Sequence, residues 1–163
     1  MKTIPLTKGY FTKVDDDDYE KYALVRWFVD INKHGIPRAR REVKVNGKIK
    51  VLSLSREIMN APKDKIVDHI NHDTLDNRKC NLRICTLKEN MMNKLKYKNN
   101  DSGYKGVSYM GKASRRLKKW KMKLNKNGIT VAKAYFDTKE DAARAYNEMA
   151  IKHYGEYAVL NTI

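Results

Sequence analysis

The sequence predicts an α+β protein in two parts, and three stretches carry that prediction. Asn46-Gly47 sits between two basic runs with strand-like alternation, the strongest short signal for a β-hairpin. Ile66–Asn93, IVDHINHDTLDNRKCNLRICTLKENMMN, divides into strand, loop, strand and helix. After Ser102, three further strand-like runs lead into one long helical pattern. The expected architecture is a β-rich N-terminal support, a ββα unit, and a three-stranded antiparallel sheet backed by one helix.

Met1–Lys65 reads as the support layer. Asp15–Asp18 followed by Tyr19-Glu20 is a helix start, with carboxylates near the positive end of the helix dipole. A calcium loop would need alternating ligands and a following Glu, which this run lacks. Pro37–Val45 and Ile49–Leu54 form the hairpin arms, made basic by Arg38, Arg40, Arg41, Lys44, Lys48 and Lys50. Two uses fit those charges: contact with phosphate, or protection of an edge strand from pairing.

Ile66–Ile70 is a short β-prone run that opens into a polar loop rich in Asn and Asp. Leu82–Cys85 alternates as a second strand. Thr86-Leu87-Lys88-Glu89 is a capping box, which starts a helix carrying Asn90 and Asn93. Such a unit can bring Asp68, His69 and Asn90 into one cleft. Asp68-His69 in DHIN, then LDNRKCNLR with Asn81, then Asn90 in KEN resemble the HNH endonucleases. The likeness is to their phage and intron-encoded branch of homing and free-standing enzymes. LSREIMNAPK, after the hairpin, also looks like the N-terminal half of phage members.

That resemblance implies a ββα-metal nuclease core over residues 66–97. It casts His69 as the general base that activates water, in keeping with an imidazole's titration range. Asp68 and Asn90 would hold one divalent cation per active site, most simply magnesium, through oxygen ligands. Asn81 would brace the loop and orient His69. Arg83 is either a phosphate contact or a solvated strand residue. His72 reads as a loop residue beside the less favoured phosphate contact, Asn77 as a shaper of the same loop, and His34 and His153 as structural or exposed.

The nuclease domain is placed at residues 1–97, a linker at 98–103 and a second domain at 104–163. Lys94–Gly103, KLKYKNNDSG, is polar and turn-rich. From Lys94 to Lys126 there are twelve Lys or Arg against the single acid Asp101. A run this one-sided repels itself unless a polyanion lies against it. Tyr104–Met110, Lys118–Asn125 and Ile129–Phe136 read as strands, the middle one with Trp120, Met122 and Leu124 on one face and Lys119, Lys121 and Lys123 on the other. Thr138-Lys139-Glu140-Asp141 starts a helix that Gly155 stops.

SGYKGVS, Lys119-Trp120, YFDTKEDAARAYNEMA and YGEYAVLN resemble the plant ethylene-response-factor (Apetala-type) DNA-binding domain. That family lays its sheet in the major groove. The positions corresponding to its contacts are Lys105, Ser108, Lys121, Lys123, Asn125, Thr130 and Ala132, and Lys119 joins them from the basic face.

The 163 residues carry a net charge of +16, which favours nucleic acid as partner over an acidic membrane, and the two resemblances imply double-stranded DNA. No apolar run approaches a membrane span, and no protein partner is required by any motif. Cys80 and Cys85 are too few for a disulfide framework or a zinc site and read as reduced thiols in a cytoplasmic protein, in the host cytoplasm if phage-encoded. The competing function is a DNA-binding regulator whose nuclease half is inert.

Overall fold

The computed structural model describes residues 1–95, 100–111 and 114–163. The chain forms two compact units, Met1–Leu87 and Lys88–Ile163. Residues 96–99, at the expected junction of nuclease domain and linker, lie outside the described residues, as do residues 112–113 of the basic run.

In the first unit, β1 (Lys2–Pro5) pairs antiparallel with β2 (Phe11–Val14). Helix α1 (Asp16–Tyr22) starts at the acidic run, as the dipole favours. Strands β3 (Phe28–Ile31), β4 (Pro37–Val45) and β5 (Lys48–Ser53) form an antiparallel sheet in that order. Asn46 and Gly47 both take positive φ, 49° and 76°, which gives the hairpin a two-residue turn matched to strand twist. Leu54, expected to end the second arm, instead opens the short helix α2 (Leu54–Ile58), where it is fully buried. The core gathers Ile4, Leu6, Val14, Tyr22, Trp27, Val29, Ala39 and Leu54, with Leu75 packed against it.

Two further strands, β6 (Ile66–His69) and β7 (Leu82–Cys85), pair antiparallel. The loop between them is docked on β2. Lys13 N donates to Leu75 O at 2.8 Å, and Asn77 N donates to Lys13 O at 2.9 Å. Backbone bonds of this kind fix the loop far more firmly than its polar composition suggests.

Helix α3 (Leu87–Met92) begins right after Thr86, at the boundary between the units, and ends one residue before Asn93. The second unit holds β8 (Val107–Tyr109), β9 (Trp120–Lys126) and β10 (Ile129–Phe136) in the order β10-β9-β8. Helix α4 (Lys139–Tyr154) covers one face, capped at its start by Thr138, whose hydroxyl accepts from Asp141 N. Its core is Val107, Met122, Leu124, Ala142, Ala143, Tyr146 and Ala150. Gly106 lies beneath Tyr146: a Cβ at this position would come within 2.2 Å of the ring, and φ is +73°. Among the described residues, no helix is long and apolar enough to cross a membrane.

Candidate active site

Strand register sets the first half of the site. Asp68 stands opposite Arg83 and His69 opposite Leu82 across β6 and β7. Successive side chains on a strand point to opposite faces, so Asp68 and His69 leave β6 on different sides. Asp68 is 8% exposed and its Oδ2 accepts from Arg83 Nε at 3.0 Å and Nη2 at 2.8 Å. A buried carboxylate of this kind demands a cation beside it, and here the chain supplies its own.

The loop sets the second half. His69 Nε2 lies 3.1 Å from Asn77 Oδ1. The neighbours of Asn77 fix which way that bond runs. Thr12 Oγ1 donates its proton to Leu75 O at 2.8 Å, so its lone pair accepts from Asn77 Nδ2, also at 2.8 Å. That orientation turns Asn77 Oδ1 toward the imidazole, and an amide oxygen only accepts. Assigned from this chain of donors, His69 carries its proton on Nε2 and is basic at Nδ1. Burial pushes the His69 pKa below its usual value, against opposing pulls from Asn77 and Asp68, and Arg38 pushes it further down. A neutral imidazole follows at neutral pH.

Asn81, buried at 5%, spans the loop: its Nδ2 donates to Asp76 O and its Oδ1 accepts from Asn71 N. Asp76, only 1% exposed, accepts from both Arg78 Nε and Nη2 and from Asn71 Nδ2. Arg78 holds the Asp76 carboxyl below its ordinary range. Lys79 then ties the loop to α1, through its N–H on Asp15 Oδ2 and its ammonium 3.1 Å from Asp18 Oδ2. Asp76 has no assigned role in the sequence, and Asn77 reads there only as a loop shaper. The one signal for both is the Asx-rich run DNRKCN itself.

Asn90 lies on α3, half-buried, in the part of that helix that groups with the second unit. Among the described residues no three His, Cys, Asp or Glu side chains converge as a metal site. Asp68 and Asn90 each offer oxygen donors, the kind that suit a hard divalent ion.

The sheet residues divide by face. Ser108 pairs with Lys121, Lys123 with Lys133, and Asn125 with Thr130, all on the side away from α4. Thr130 Oγ1 donates to Asn125 Oδ1 at 2.9 Å. Ala132, after a bulge at Val131, pairs with buried Leu124 and so packs on the helix side, away from the other expected contacts. Lys119 donates through Nζ to Ser114 O. Lys105 is half-buried: its Nζ donates to Met92 O, the last carbonyl of α3, at 2.8 Å, and burial lowers its pKa to about 8. Tyr135 and Lys133 also fall on the outer face, with the Arg116 guanidinium 4.1 Å from the Tyr135 ring centre. Strand periodicity would have found both, had the bulge been visible in sequence.

The profile of a family described as HNH endonuclease matches residues 60–92, which hold β6, the loop, β7 and α3. The chain is also 31% identical over 156 residues to an uncharacterized HNH endonuclease of Acanthamoeba polyphaga mimivirus, a match spanning 96% of this chain and 77% of that protein. No solved structure matches it. The chain belongs to the HNH endonuclease family.

Proposed function

We propose that the protein is a metal-dependent DNA endonuclease that hydrolyses one phosphodiester bond per encounter. The observation that carries this is the His69–Asn77–Thr12 chain, which leaves a neutral imidazole basic at Nδ1. His69 takes the proton of the attacking water at Nδ1, and Asn77 holds the ring. Asn81 keeps the loop beneath it in shape. On the resemblance to the HNH enzymes, Asp68 and Asn90 would each offer an oxygen ligand to one divalent cation of a ββα-metal nuclease. When bound, that ion neutralises charge on the phosphate and on the leaving 3′ oxygen.

The second unit reads double-stranded DNA, as its likeness to ethylene-response-factor domains suggests. Ser108, Lys121, Lys123, Asn125 and Thr130 support this by sharing the sheet face opposite α4. Lys119 extends the same positive surface. Lys105, whose ammonium is engaged at α3, contributes to DNA binding by anchoring that helix. A homing or free-standing enzyme working in a host cytoplasm fits the viral relative.

Supercoiled plasmid incubated with and without magnesium tests the proposal. Nicking is expected only with the metal, and His69→Ala should lose about 10²- to 10⁴-fold in rate while still binding DNA. Wild-type cleavage by His69→Ala, or cleavage in chelator, would remove the assignment.

A further inference from the structure

The pairing of Arg83 with Asp68 has a consequence beyond stability. Two Arg83 nitrogens, Nε and Nη2, converge on one oxygen, Asp68 Oδ2, at 3.0 and 2.8 Å, between residues that are 11% and 8% exposed. The two face each other in register on adjacent strands, so the backbone itself holds them together. A divalent cation on Asp68 would meet this guanidinium at close range. An arginine cannot relieve that repulsion by losing a proton. Only movement of the side chain relieves it.

Building on the reading of Asp68 as a metal ligand, we propose that Arg83 is an exchangeable counter-cation. It holds the Asp68 carboxylate in the metal-free protein, leaves Oδ2 when the divalent ion binds, and then pairs with the scissile phosphate. The exchange trades a carboxylate for a phosphate, an oxyanion that a guanidinium fork fits equally well. One residue thus opposes metal binding and favours catalysis. A purely structural ion pair would oppose metal binding without favouring catalysis.

Calorimetric titration of the full chain with magnesium chloride, without DNA, separates these roles. Arg83→Gln should bind magnesium about tenfold more tightly, since the competing charge is gone. The same variant should nick supercoiled plasmid at least about tenfold more slowly at saturating magnesium, since a phosphate contact made in the transition state is lost. Unchanged or weaker metal affinity overturns the competition, and an unchanged saturated rate overturns the phosphate contact.

A second measurement does not depend on the folding of that variant. In ¹⁵N spectra of the wild-type protein, the Arg83 Nε–H signal, assigned by its loss in Arg83→Lys, should lose protection from solvent exchange as magnesium is added. Protection retained at saturating magnesium overturns the proposal. Asp68→Asn is the control for the underlying reading. Loss of magnesium binding in Asp68→Asn supports it, whereas unchanged affinity overturns both the ligand role and the exchange.

Discussion

His69 Nε2 and Asn77 Oδ1 lie 3.1 Å apart, and Thr12 fixes the amide so that its oxygen faces the ring. The imidazole is held below its ordinary pKa of 6.5, chiefly by burial. A general base works only when unprotonated, so cleavage should fall as pH drops through the His69 value. The acid limb of kcat/KM should therefore lie below pH 6.5. Asn77→Asp places a carboxylate against the ring, favours imidazolium and should move that limb upward. A pH–rate profile of the two proteins decides it, and an unmoved limb would separate Asn77 from the catalytic titration.

The outer sheet face predicts a salt signature. If Lys121 and Lys123 each neutralise one phosphate, the slope of log affinity against log salt should fall by roughly 0.9 for each lysine replaced by alanine. Binding of duplex DNA by the Lys121→Ala, Lys123→Ala double variant across a salt series measures this. An unchanged slope would leave those lysines as solvated surface.

Gly106 is fixed by geometry alone. Its φ of +73° and the 2.2 Å that would separate an added Cβ from the Tyr146 ring mean that Gly106→Ala brings both left-handed strain and a clash. A loss of about 2–4 kcal/mol is expected from the two together, with the transition of the second unit lowered in a thermal or urea melt. Wild-type stability would show that Tyr146 moves aside freely.

Lys105 gives stability a pH dependence of definite sign. Burial lowers its pKa from 10.5 to about 8, so between those values the unfolded chain binds more protons than the folded one. Stability from this group should rise as pH increases through that window and be absent below it. Tyr146 and Tyr154, whose phenols burial pushes up, act in the opposite sense above about pH 10. Urea melts from about pH 8 to 9.5 should thus show a rise in the wild type that Lys105→Met lacks. Equal slopes would show that the ammonium keeps its ordinary titration in the fold.

Local signals determined much of this protein. Asn46-Gly47 specified its hairpin because both residues tolerate positive φ, and Thr138 with Asp141 specified the start of α4 because the cap is satisfied within one turn. The alternation of Trp120, Met122 and Leu124 with lysines sorted β9 into two faces before any partner strand was known. The motif that holds Asp68 and His69 was legible in the sequence. The partners of those two residues were not. Arg83 reaches Asp68 only because β6 and β7 pair in one register, and Asn77 is oriented by Thr12, 65 residues earlier in the chain. Lys105 reads in the sequence as a DNA-contact position, and its bond to the carbonyl of Met92 is visible only in the fold. Periodicity and capping are decided within a few residues of backbone, so sequence carries them. Register, burial and the direction of a hydrogen bond depend on which distant segments pack together, and only the tertiary structure decides those.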